Sequence, residues 1–174
     1  MGCGHRDEDS FRQLHRWDHH LEVRRFYRSG QFALVTSVSW DWRDESGWWP
    51  VKANEEWQPN ARIGVGHIVQ MLLEMLLFCS RLAATPAGDD NLNIEIVLAP
   101  TEGRELFSDF PRRHLSPGYR ADIHRVRLPL DVSRTDLLAK MDDLTADSAS
   151  RMFAEFDFKP SPSILREFMA EVRR

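Results

Sequence analysis

Four polar side chains interrupt an otherwise apolar run: His67, Gln70, Glu74 and Arg81. At the angular step of a helix they project within about 60° of one another. Such a stripe is either the one solvent-facing line of a buried helix or the wall of a polar pocket. In a pocket, His67 could serve as acid or base, while Glu74 and Arg81 could pair through an intervening ligand. A second group, His15-Arg16-Trp17-Asp18-His19-His20, puts two histidines four residues apart. On a helix, His15 and His19 would share a face and could grip a divalent metal. The Glu that follows the first His in the zinc-hydrolase pattern is missing, so the solvated side of an amphipathic helix is the alternative, and no metal centre or cofactor is expected.

Arginine dominates the cationic side chains; only Lys52, Lys140 and Lys159 are lysines among 23 basic residues. Arg112, Arg113, His114, Arg120, Arg125 and Arg127 gather in the second half, and Arg112, Arg113, Arg125 and Arg127 form a candidate surface for phosphate or an acidic partner. An ordinary solvated sheet face is the competing reading, and Asp109, Asp122 and Asp131 dilute the field. The loop Thr101-Glu102-Gly103-Arg104-Glu105 follows an apolar strand and could open a short helix over Arg104–Asp109. A helix start attracts anions, but one Gly is neither a P-loop nor a dinucleotide fingerprint. All six tryptophans lie in the first third of the chain. Trp48, Trp49 and Trp57 lack an obvious core position, which makes them a candidate protein interface.

These residues need elements to hold them. Ser10 and Gln13 have capping-box spacing, and Phe11, Leu14, Trp17 and Leu21 recur every three or four residues, which predicts an amphipathic helix ending near Gly30. Residues 1–9 are polar and are expected to be disordered. From Gln31 to Trp42 the period changes to two, and Phe32, Leu34, Thr36, Val38, Trp40 and Trp42 line one face of a strand. Trp48 to Ala53 reads as the returning strand of a hairpin, and the residues around Glu55–Asn60 as a loop. Ala61 to Ala84 is the expected central helix, apolar nearly all round in its later part and so buried on most sides. Leu92, Ile94, Ile96 and Leu98 mark a strand; His124, Val126, Leu128 and Leu130 mark another within Arg120–Leu130. Ser133 with Asp136 caps a helix through Leu137, Leu138, Met141 and Leu144. A further helix carries Met152, Phe153 and Phe156, and a last one starts at Pro162. Strands and helices do not alternate, so the expectation is one α+β domain over residues 10–174: a mostly antiparallel sheet of about four strands packed on a long buried central helix, with C-terminal helices.

The bulk numbers narrow the function classes. The chain has 174 residues, a net charge of −4 and two cysteines, Cys3 and Cys79. Two cysteines make neither a disulfide framework nor a zinc set. The net charge does not support general nucleic-acid affinity, and Gln70, Glu74, Ser80 and Arg81 break the longest apolar run short of a membrane span. No leader pattern opens the sequence, and Arg6 stands where an acylation signal wants Ser or Thr, so a cytoplasmic, non-membrane setting is expected. Nucleophile-elbow, Cys–His, kinase and deaminase patterns are absent from the sequence.

Three segments together carry a family pattern: Phe26-Tyr27-Arg28-Ser29-Gly30-Gln31-Phe32, then Leu77-Phe78-Cys79-Ser80-Arg81-Leu82-Ala83, then Asn93-Ile94-Glu95-Ile96 leading into Gly103-Arg104-Glu105-Leu106. With Tyr119, Asp136-Leu137-Leu138 and Phe153–Phe158 in the same order, residues 20–170 resemble the companion domain that follows Schlafen-type AlbA-like DNA-binding modules in some bacterial proteins. The resemblance implies a regulatory or ligand-sensing role and no catalytic set. It does not carry DNA binding over, because the sequence shows no AlbA-like module of its own. The expected function is therefore a non-enzymatic regulatory or sensor-like binding domain of a bacterial cytoplasmic protein, recognising a protein partner, a second copy of itself or a small-molecule ligand. The alternatives are a metal-dependent hydrolase or nuclease, and a nucleic-acid-binding module using the Arg112–Arg127 patch.

Overall fold

Strand, not helix, is the conformation over most of the described residues between 2 and 36. A computed structural model describes residues 2–6, 8–17, 20–38, 41, 58, 60–85, 88–110 and 112–173. Within them, β1 (Gly2–Arg6), β2 (Ser10–Trp17), β3 (His20–Tyr27) and β4 (Phe32–Thr36) form an antiparallel sheet in the order β1-β2-β3-β4. The helix expected over 10–30 is corrected here. The apolar spacing of Phe11, Leu14, Trp17 and Leu21 imitates a helix face, but β2 and β3 pair continuously from Ser10↔Tyr27 to Trp17↔His20. Val23, Phe26 and Tyr27 are strand formers, and a full cross-strand ladder outweighs a weak helical preference. Ser10 does not cap a helix; its hydroxyl accepts from Arg25 Nε at 3.0 Å. β1 pairs with β2, from Gly2↔His15 to Arg6↔Phe11, a partnership that local composition does not encode. Gly30 closes the β3–β4 turn with φ +83°, where a Cβ would be strained.

The chain divides into two compact units, residues 1–59 and 60–174, where the sequence reads as one domain. The second unit is built around one helix. β5 (Arg62–Gly64) leads into α1 (Val65–Ala83), followed by β6 (Asn91–Leu98), β7 (Glu105–Phe107), β8 (Val126–Ser133), α2 (Arg134–Ala139), α3 (Met141–Ala154) and α4 (Pro162–Val172). β5 and β7 pair in parallel, and β6 and β8 pair antiparallel from Asn91↔Ser133 to Leu98↔Val126. The class is thus α+β, with antiparallel pairing and a central helix; the four-stranded sheet, however, lies in the first unit, and two two-stranded pairs accompany α1.

Val65, Ile68, Val69, Leu72, Leu76 and Ala83 are the buried side of α1, which packs against α2, α3, α4 and β5. Leu76 joins Val132 and Leu137 in a cluster lined by Leu92, Ile94, Leu130 and Met141. Burial is confined to that side. Met71, Leu73, Met75, Phe78 and Leu82 are only half-buried and Leu77 is 40% exposed, short of the burial expected on most sides. Among the described residues α1 is the one helix long and apolar enough to cross a membrane by length and composition.

Local signals placed the starts of α2 and α4, but α2 ends at Ala139, Met141 and Leu144 belong to α3 with Met152 and Phe153, and Phe156 lies beyond it. Ser133 Oγ accepts from the Asp136 amide at 3.0 Å, and Ser161 Oγ from Ile164, with Pro162 in the first turn. One helix expectation and one strand expectation shift. No helix forms at Arg104–Asp109; Glu105–Phe107 is a strand, because its backbone finds β5. β8 begins at Val126, since Arg120 and Ala121 make only single bridges, to Glu105 and Glu102.

Candidate functional site

The polar stripe of α1 faces outward. Gln70, Glu74 and Arg81 are exposed, and His67 is half-buried. Gln70 Nε2 donates to Glu74 Oε1 at 2.9 Å, within the stripe. The start of that helix is instead held by a residue the sequence reading missed. Gly64 caps α1 with no side chain, and the Asp109 carboxylate, supplied from beyond β7, accepts the amides of Gly66 at 2.7 Å and His67 at 2.8 Å. A side chain at Gly64 or Gly66 would overlap that carboxylate, so the glycines are required by its approach. Burial pushes the Asp109 carboxyl up, against the pull of the two amides. The only sequence trace of this arrangement is a helix start without Ser, Thr, Asp or Asn.

The arginine cluster of the second half is dispersed into ion pairs. Arg113 donates to Glu171 at 2.8 Å and Glu167 at 2.7 Å, and its guanidinium lies 5.5 Å from the ring centre of Phe168, which stacks on Phe110. These acceptors raise the Arg113 pKa. Arg127 donates through Nε to Glu95 at 2.7 Å, across the β6–β8 pair. Arg120 pairs with Glu105 at 3.0 Å. Burial raises the Glu105 carboxyl, but the Gly118 amide and Arg120 bring it below its ordinary value. Arg112 and Arg125 are exposed. Of the four candidate anion-binding arginines, two are therefore neutralised by glutamates from other elements. Arg104, expected beside an anion-binding turn, is fully buried and donates to the carbonyls of Arg62 at 2.9 Å and Pro100 at 3.3 Å.

The first unit gathers charge differently. In an antiparallel ladder, residues directly opposite share a face. The registers therefore put Arg12, Arg25 and Ala33 in one row, Leu14, Val23 and Val35 in the next, and Arg16 with Leu21 in the third, all on one face of β2–β4. Arg12, Leu14, Arg16, Ala33 and Val35 are exposed, Val35 by 66%. Arg25 donates to Ser10 and stands 5.0 Å over the Tyr27 ring. No carboxylate occurs on this face among the described residues. The opposite face carries Phe26 and Phe32, with ring centres 4.6 Å apart, and the ion pair of Arg24 with Glu22.

His15 lies on β2 opposite Glu22, so the helix face that would have paired it with His19 does not exist. His19, the hairpin strand Trp48–Ala53 and the candidate interface Trp48, Trp49 and Trp57 lie outside the described residues. Among the described residues no group of three His, Cys, Asp or Glu is placed to hold a metal ion. The chain matches no family model, no curated protein and no solved structure.

Proposed function

We propose that the chain is a non-enzymatic binding domain and that the exposed face of β2–β4 is its recognition surface for an anionic partner. One observation carries this reading: Arg12 and Arg16 stand exposed on one sheet face, beside the exposed apolar side chains of Leu14 and Val35. Arg12 stands directly opposite Arg25, and like charges in that relation cost a sheet about 0.2–1 kcal/mol. An anion lying over the pair reverses the sign of that cost. Arginine suits the task, because its planar fork meets phosphate or carboxylate with two hydrogen bonds.

The resemblance to the companion domain of bacterial AlbA-linked proteins supports a regulatory role in a cytoplasmic setting as part of the same proposal. The test is binding of the full chain to a fluorescent heparin oligosaccharide at low salt. The parent is expected to bind, and Arg12→Glu with Arg16→Glu to abolish binding, with Arg112→Glu and Arg125→Glu close to the parent. A parent that ignores the probe, or a β2 variant that binds as well as the parent, overturns the proposal.

A further inference from the structure

We infer that the partner of this face is single-stranded nucleic acid, an inference that rests on the reading just given. The rows alternate in kind: Arg12 with Arg25 and Ala33, then Leu14, Val23 and Val35, then Arg16 with Leu21. Arg12 and Arg16 lie four residues apart on one strand, about 13 Å by strand geometry. Arg12 and Arg16 thus flank an exposed apolar row, and an arginine side chain is longer than that of leucine or valine. A strand of nucleic acid offers the complement of that order, with phosphates for the arginines and unpaired bases to lie on the apolar row.

A duplex does not fit as well. Its base faces are stacked away, and its major groove admits a helix or a two-stranded ribbon rather than the broad face of a sheet. A lipid surface asks for the reverse relief, in which apolar side chains reach beyond the cations into the acyl layer. The backbone contacts are sequence-independent, so the expected binding is broad in sequence and steep in salt.

The experiment uses the full chain with fluorescein-labelled 20-nucleotide single strands, the matching duplex, and vesicles of phosphatidylcholine with phosphatidylserine. Single strands are expected to bind at least tenfold tighter than duplex. Two arginine–phosphate contacts, by Arg12 and Arg16, give a slope of log K against log salt of about −1.4, and Arg12→Ala or Arg16→Ala each make it shallower by about 0.7. Val35→Ser is expected to weaken single-strand binding several-fold and heparin binding by a clearly smaller factor, a split that charge alone does not produce. Heparin binding without single-strand binding overturns this inference and leaves the anion-binding face standing. Equal affinity for duplex, or binding to the vesicles alone, also overturns it. Failure with both heparin and oligonucleotides overturns the inference together with the reading beneath it.

Discussion

Arginines do opposite things in the two units. In the second, Arg113, Arg120 and Arg127 each reach a glutamate on another element, so much of the cationic cluster visible along the chain is neutralised on folding. In the first, Arg12 and Arg16 of β2 and Arg25 of β3 meet on one sheet face. Clustering in sequence is therefore a poor guide to clustering of charge in space. The register of a sheet decides whether a scattered set of arginines becomes a surface, and the nearby acids decide whether a dense set remains one.

The comparison can be broken most forcefully through binding. Arg12→Glu with Arg16→Glu should weaken a polyanionic ligand by about a hundredfold or more, since each charge-assisted contact is worth about 1.5–3 kcal/mol. Titration of the fluorescent probe checks it, and the Arg112→Glu, Arg125→Glu pair should stay within about twofold of the parent. The next effect is on the second unit alone. Asp109→Ala removes both acceptors at the start of α1 and should cost about 1–2 kcal/mol in urea unfolding. Asp109→Asn, which keeps one acceptor and discards a buried charge, should cost less than half of that.

A smaller effect separates the two kinds of arginine by sign. Arg113→Ala loses its glutamate partners and its place over Phe168 and should destabilise by up to about 1 kcal/mol. Arg12→Ala relieves a like-charge pair and should leave stability unchanged or raise it by a few tenths of a kcal/mol. Melting temperatures of the two variants give the comparison.

The smallest effect is on pH dependence. Arg173 donates to Asp142 and holds its carboxyl below the ordinary value, and Glu105 is also lowered once Gly118 and Arg120 outweigh its burial. A lowered carboxyl contributes stability that is present above its unfolded pKa and lost as pH falls through its folded pKa. The second unit should therefore lose stability as pH drops from about 5. Arg173→Ala and Arg120→Ala should flatten that acid limb, and Arg12→Ala should not.

Where the sequence was readable, the signal was local. Ser133 with Asp136 and Ser161 with Pro162 state helix starts within four residues, and the alternation of Leu92, Ile94, Ile96 and Leu98 states a strand. The N-terminal sheet was misread because Phe11, Leu14, Trp17 and Leu21 fit a helix by spacing, and their assignment to strands rests on cross-strand pairing. The stripe His67, Gln70, Glu74 and Arg81 was legible as a line on α1, but whether it met water depended on what packed around it. Asp109 and Arg104 were not legible at all. The first acts on amides 42 and 43 residues away, and the second on the carbonyl of Arg62, 42 residues away. The face of Arg12, Arg16 and Arg25 required the register, since shifting β3 by one residue would send Arg25 to the other side.

The central claim is that β2–β4, and not the Arg112–Arg127 stretch, receives the anionic partner. Its most direct test is a titration of the 15N-labelled chain with a heparin oligosaccharide, followed at the arginine Nε–H resonances. The account predicts that Arg12, Arg16 and Arg25 shift progressively with ligand, together with the amides of Leu14, Val23 and Val35, and that Arg113, Arg120 and Arg127 stay in place. Shifts confined to Arg112, Arg125 and their neighbours, or no shift anywhere at saturating probe, would contradict it.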